Sequence, residues 1–154
     1  MVNKTRIVVA DPLVDPAQLP VWDVLARTLY GEARGEDAPG IEAVAMVILN
    51  RVAYACKRGG YWWGNDVAAV CLKPSQFSCW NIGDPNRAKL LRLCDDDAAY
   101  RLCCHVARRA LAGDLPDLVS GATHYHTRAV HPWWARGRVP VAAIGRHVFY
   151  DNIG

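Results

Sequence analysis

Glutamate is scarce in this chain, and where it occurs it is clustered. Of 154 residues only three are glutamates, Glu32, Glu36 and Glu42, and all lie in one short stretch. The first two fall in Tyr30-Gly31-Glu32-Ala33-Arg34-Gly35-Glu36, at the end of an apolar helical pattern and just before Pro39-Gly40. A carboxyl group on an apolar helix face is one way to build a general acid, because burial favours its protonated form. An i, i+4 spacing would also put Glu32 and Glu36 on one side of a helix, where their side chains could meet. Taken alone, the pair reads more simply as a solvated helix end carrying two acids. Glu42 points off its own helix face, near a helix start, where a negative charge suits the helix dipole.

Other residue types suggest a ligand. Tyr61, Trp62, Trp63, Phe77, Trp80, Tyr125, Trp133 and Trp134 are concentrated in irregular segments, with Gln76, Ser78, Asn81, Thr123 and His124 among them. Flat rings beside uncharged polar groups suit a sugar, which offers C–H faces for stacking and hydroxyls for hydrogen bonding. For any single ring, core anchoring is the simpler role. No glycine-rich phosphate cradle is present. Of the five histidines, His124 and His126 are read as facing opposite sides of a strand, and so as not sharing a metal. His105 stands alone on a helix. The cysteines, Cys56, Cys71, Cys79, Cys94, Cys103 and Cys104, have no zinc-ligand spacing and are read as buried structural thiols.

These groups need elements to hold them. Pro12, Pro16 and Pro20 break up residues 1–20, read as an irregular N-terminal arm, and residues 21–154 are read as one domain. A helix is expected over 21–33, with Val21, Leu25, Thr28 and Leu29 on one face and Glu32 continuing the stripe. The second is the clearest, with Ile41, Val44, Ala45, Ile48, Leu49 and Val52 in helical register. Asn50 and Arg51 near its far end could cap, pair with a carboxylate or be solvated. A third helix is expected over 96–112 with Gly113 as its stop. Residues 57–66 and 71–80 read as loops. Residues 121–127 and 148–150 read as short strands, separated by Pro132, Gly137 and Pro140. The fold class is therefore α+β, mainly α, with a small β element near the C-terminus.

Composition sets wide bounds. The chain is 52% hydrophobic and 21% charged with a formal net charge of +3, enough for one real core. Its basic residues are scattered rather than gathered into a nucleic-acid footprint. The apolar run after Met1 is short and is cut by Asp11 and Pro12, so no export signal is read there. No stretch approaches about eighteen apolar residues, so no stable membrane insertion is expected. A monomer is the default.

Together, the run from Leu25 to Glu36 leading into Gly40 and Ala43–Val52 closely resembles the opening motif of a cell-wall hydrolase family, the one typified by the spore cortex-lytic enzyme SleB. Gln76-Phe77-Ser78, Gly121-Ala122-Thr123-His124-Tyr125, Pro132-Trp133-Trp134-Ala135 and Ile144–Tyr150 resemble its later motifs, in order. The resemblance covers about residues 22–150. It implies a lysozyme-like fold and cleavage of peptidoglycan glycan strands between N-acetylmuramic acid and N-acetylglucosamine, without a cofactor. By the same resemblance Glu32 is the catalytic acid of a lytic transglycosylase. Glu36 and Tyr125 are possible supporting groups; Gln76, Phe77, Ser78, Thr123, His124, Tyr125 and Trp134 are candidates for the glycan. The want of an export signal and of a wall-binding repeat suggests a phage or prophage endolysin that reaches the wall after release. The competing readings are a lysozyme-type hydrolase using Glu36, Asp37 or Asp84 as second carboxylate, a non-catalytic glycan-binding module, and a thiol- or metal-dependent amidase.

Overall fold

The computed structural model describes residues 15–153. Residues 1–14 of the expected arm lie outside that range; the rest of it holds a short 3-10 turn, Pro16–Gln18, capped by the Asp15 side chain. Five helices follow: α1 Val21–Ala33, α2 Ala38–Lys57, α3 Val67–Leu72, α4 Pro85–Leu91 and α5 Ala98–Leu111. The chain then forms β1 His124–Thr127, β2 Ala142–Ile144 and β3 His147–Tyr150. These make one antiparallel sheet in the order β1-β3-β2. The fold is thus mainly helical with a small C-terminal sheet, the α+β organisation expected.

Helix α1 is the axis of the core. Every residue from Asp23 to Tyr30 is buried, because α2, α3, α4 and α5 all pack against it. A helix buried on all sides needs its polar groups satisfied internally. Arg27 Nε donates to Asp23 Oδ1 at 2.8 Å, Arg27 also donates to the Leu90 carbonyl, and the Tyr100 hydroxyl donates to Asp23. Thr28 Oγ1 donates to the Val24 carbonyl at 2.7 Å and accepts the Trp80 indole N–H at 2.9 Å. The second of these ties the 3-10 turn Ser78–Trp80 to α1.

Helix α2 is apolar on two faces. Ile41, Val44, Ala45 and Ile48 join the helical core, while Ala43 and Val47 pack with Val119, Ala122 and Phe149 behind the sheet. It is long and apolar enough to span a membrane by length and composition, and half of that stretch is buried inside the fold; here it is a core helix. Glu42 is not left to the helix dipole: its carboxylate meets the Arg109 guanidinium of α5 at 2.7 Å. Helices α3 and α4, and strand β2, are absent from the sequence reading. Asp66 and Asp84 cap the two short helices through their side chains. The third expected helix runs from Ala98, capped by Asp97, to Leu111.

Candidate active site

Helix α1 ends at Ala33, so Glu32 sits in its last turn and Glu36 lies beyond it. The anticipated helical pairing of the two carboxylates does not form. Glu32 is half-buried, and its Oε2 accepts the Tyr125 hydroxyl at 3.0 Å. Its other oxygen, Oε1, faces the Cys79 thiol at 3.8 Å. Cys79 can stand there because residue 31 has no side chain: a Cβ at Gly31 would meet Cys79 Sγ at 2.7 Å. Burial raises the Glu32 carboxyl above its ordinary range, opposed by the Tyr125 and Cys79 donors and by the Arg51 charge. Burial and the neighbouring carboxylate also hold the Tyr125 hydroxyl well above its usual value, so it keeps its proton. The Cys79 thiol is likewise pushed up by burial and by Glu32, which keeps it a neutral donor.

Arg51 closes the inner side of this site. Its Nε donates to the Thr123 carbonyl at 2.7 Å, and its guanidinium lies over the Trp63 and Phe77 rings at 5.2 and 5.8 Å. It therefore neither caps its helix nor sits in solvent. Trp63 returns its indole N–H to the Arg51 carbonyl at 3.0 Å, while Asn50 Nδ2 donates to the Ala122 carbonyl at 3.0 Å. Two contacts from α2 thus hold the strand that carries Tyr125. The sequence leaves Arg51 several options, and the one it takes is set by residues far along the chain.

The other expected residues divide. Thr123 is buried, and its hydroxyl is 3.0 Å from His124 Nδ1. His124 is half-buried against Trp63 and Trp134, and burial, with Arg51 second, lowers it to about 4. It is therefore neutral near pH 7. Trp134 touches His124, His126 and Tyr150. Both histidines meeting one ring shows that they share a face, contrary to the sequence reading. Residues i and i+2 of a strand must do so, with Tyr125 on the other side. Among the described residues there is still no cluster of histidine, cysteine and acid suited to a metal.

Gln76 is turned inward as a brace. Its Nε2 donates to the Trp63 and Val70 carbonyls at 3.2 and 2.7 Å, and its Oε1 is buried without a partner. Phe77 is a core ring rather than a groove wall. Ser78 is exposed at the start of its 3-10 turn. Glu36 faces the β2–β3 turn, where its Oε1 accepts the Arg146 amide at 3.1 Å. Cys71, Cys79 and Cys103 are buried and Cys104 is half-buried, while Cys56 and Cys94 are exposed, so the structural-thiol reading fails for those two.

Two surface grooves are present. One of about 360 Å³ is lined by Tyr54, Arg58, Ser120, Thr123, Asp151 and Asn152 among others. A larger one, about 560 Å³, lies around Lys73, Trp80, Ile82 and Arg87. Neither includes Glu32 in its lining. Chemically the arrangement is a half-buried carboxyl group with a proton-holding phenol on one oxygen. Among the described residues no second carboxylate is hydrogen-bonded to it.

Residues 35–150 match the family model for cell wall hydrolases, beginning just past Glu32. The chain belongs to that cell wall hydrolase family. It is 31% identical over 133 residues to the spore cortex-lytic enzyme of Bacillus subtilis strain 168, covering 83% of this chain and 36% of that protein. The spore cortex-lytic enzyme of Halalkalibacterium halodurans is 31% identical over 127 residues, 82% of this chain and 33% of that protein. The chain thus spans about a third of the length of these relatives. Among solved structures it resembles the catalytic domain of the germination-specific lytic transglycosylase SleB from Bacillus anthracis, with a TM-score of 0.65 and 26% identity over 85% of this chain and 93% of that one. The Bacillus cereus SleB catalytic domain gives 0.61 and 26%, over 85% and 89%. The lysozyme-like fold class follows from these neighbours.

Proposed function

We propose that this chain cleaves the glycan strands of peptidoglycan between N-acetylmuramic acid and N-acetylglucosamine, as a lytic transglycosylase with Glu32 as its only acid and base. The observation that carries this reading is the Glu32 carboxyl, raised by burial and hydrogen-bonded by Tyr125, with no second carboxylate bonded to it among the described residues. A hydrolytic glycosidase generally needs a second carboxylate, about 5 Å away for retention or roughly 6.5–9.5 Å for inversion. Glu36 is engaged by the β2–β3 turn, and Asp84 is engaged as the cap of α4. Asp37 is an exposed residue at the start of α2. The relatives' names support the substrate class.

In the first step, protonated Glu32 gives its proton to the glycosidic oxygen as the bond from that oxygen to muramic acid C1 breaks. The leaving sugar departs with a hydroxyl, and C1 is left electron-poor. The Tyr125 hydroxyl, still donating to Oε2, stabilises the carboxylate so formed. That carboxylate then takes the proton of the muramic acid C6 hydroxyl, whose oxygen bonds to C1. A 1,6-anhydro ring results, Glu32 is protonated again, and no water is consumed. His124, Thr123 and Trp134 border the strand that carries Tyr125 and are assigned to holding the glycan; the wall is where the enzyme acts.

Mass spectrometry of peptidoglycan digested by this protein and by its Glu32→Gln variant tests the reading. Products ending in 1,6-anhydro-muramic acid with the wild type, and none with the variant, are expected. Reducing ends would overturn the transglycosylase route, and intact strands would overturn glycan cleavage altogether.

A further inference from the structure

Glu36 is the carboxylate that the proposed chemistry leaves over, and its surroundings are unusually exacting. Its side chain is 9% exposed, at the turn between α1 and α2, yet it reaches across to β2 and β3. Two glycines make its space. A Cβ at Gly40 would lie 2.7 Å from Glu36 Cβ, and one at Gly145 would collide with Glu36 Oε2. Gly145 also has φ +57°, which residues with a side chain adopt only under strain.

His147 stands next to this post. Its side chain is 5% exposed, and its Nδ1 lies 3.8 Å from Glu36 Oε1, beyond hydrogen-bond distance and with no other partner. The ring packs edge-on against Tyr125, with centroids 5.0 Å apart. Register places this contact on one face of the sheet, because Tyr125 pairs with Phe149 and His147 with Thr127. The Tyr125 hydroxyl then reaches Glu32 Oε2. A continuous line of contacts therefore runs from Glu36 through His147 and Tyr125 to the reacting carboxyl group.

We propose that Glu36 and His147 are positioning residues for the reaction: Glu36 seats the β2–β3 turn, His147 rests against it, and its ring holds the Tyr125 hydroxyl on Glu32. The assignment of reaction rests on the function proposed above; the positioning of Glu32 by these residues does not. Burial keeps His147 in its neutral form, with Glu36 opposing and Arg146 and His126 reinforcing that effect. Neutral His147 can then carry its proton on Nδ1, toward the Glu36 carboxylate. Loosening either residue frees Tyr125, and a misplacement of about 1 Å at a reacting group is enough to cost large factors in rate.

The chain has only three glutamates, so protein labelled with carbon-13 at the glutamate carboxyls gives three signals, each assigned by a single Glu→Gln variant. The titration of Glu32 is then followed in the wild type, in Glu36→Gln, in His147→Leu and in Tyr125→Phe. Because the Tyr125 donor lowers Glu32, both positioning variants should move its midpoint upward, toward that of Tyr125→Phe. Neither should move it further when added to Tyr125→Phe. In turnover, each single variant should lose roughly tenfold or more in kcat with KM unchanged, and little more in the Tyr125→Phe background. A Glu32 midpoint that stays fixed in a folded variant overturns the proposal. So does one that falls in Glu36→Gln, as expected from removing a bare nearby charge, or losses that multiply with Tyr125→Phe. Glu36→Gln retains an acceptor for the Arg146 amide, and His147→Leu retains apolar bulk; if either fails to fold, the other decides. The titration needs no substrate, so its outcome holds whether or not the chain cuts glycan.

Discussion

Replacing Glu32 by glutamine should make the protein more stable at neutral pH, by an amount that depends on pH in a diagnostic way. Burial raises the Glu32 carboxyl in the fold, and the Tyr125 and Cys79 donors offset this only in part. A carboxyl group raised on folding contributes its full stability below its unfolded pKa, near the ordinary 4.5. That contribution is lost as pH rises through the folded value, because the unfolded chain ionises first. Glutamine never ionises, and its carbonyl can still accept from Tyr125. Each pKa unit by which the fold raises Glu32 is worth about 1.4 kcal/mol, so the gain above the folded value reads the size of that shift directly. In a chain of this size each kcal/mol of gain corresponds to a rise in Tm of roughly 2–4 °C. Chemical denaturation of both proteins at several pH values measures it. The difference should be near zero around pH 4, grow as pH rises and then level off. Equal stability at pH 7, or a difference that shrinks with rising pH, would refute a Glu32 held protonated by its surroundings.

Two further outcomes follow from the same geometry. Cys79→Ala removes a donor that lowers Glu32, so the alkaline limb of the rate profile, which reports loss of the protonated acid, should move to higher pH; a move to lower pH would contradict the contact. Gly145→Ala forces a side chain into a backbone with φ +57° and drives its methyl into Glu36 Oε2. The backbone part costs about 1–2 kcal/mol and the overpacking about 1–3 kcal/mol. Calorimetry should show a destabilisation within that combined range, reduced to the backbone part in a Glu36→Ala background.

The parts of the molecule that were legible in the sequence are those with a long period. Helices α1, α2 and α5 run for 13, 20 and 14 residues, enough turns for a stripe to show. Helices α3 and α4 run for six and seven, too short for periodicity to separate them from loops. Their capping aspartates were the available signal. Gln76 illustrates a different failure. A polar residue amid aromatic loop residues suits a sugar, but a folded loop also buries its own carbonyls, and these claim the nearest amide first. The facing of His124 and His126 was readable from the two-residue period alone. The Tyr125–Glu32 hydrogen bond was not, since its partners are 93 residues apart; only the order of motifs hinted at it.

The proposed mechanism asks one carboxyl group to do two jobs, and the placement of Glu32 suits it to both. Helix α1 is fixed internally by the Asp23–Arg27–Tyr100 network and laterally by Trp80. A group on such an element is held more tightly than one on a loop. The same burial that fixes the helix raises the carboxyl, making it a competent proton donor. Once it has given up that proton, the Tyr125 hydroxyl and the Arg51 charge favour the ionised form. Those opposing influences act on one side chain, burial favouring its protonated state and the neighbouring donors and charge its ionised one. A second carboxylate beside it would raise it further by repulsion and weaken it as the proton donor of the first step. Turning Glu36 away to the β2–β3 turn therefore serves the solitary acid as well as the sheet.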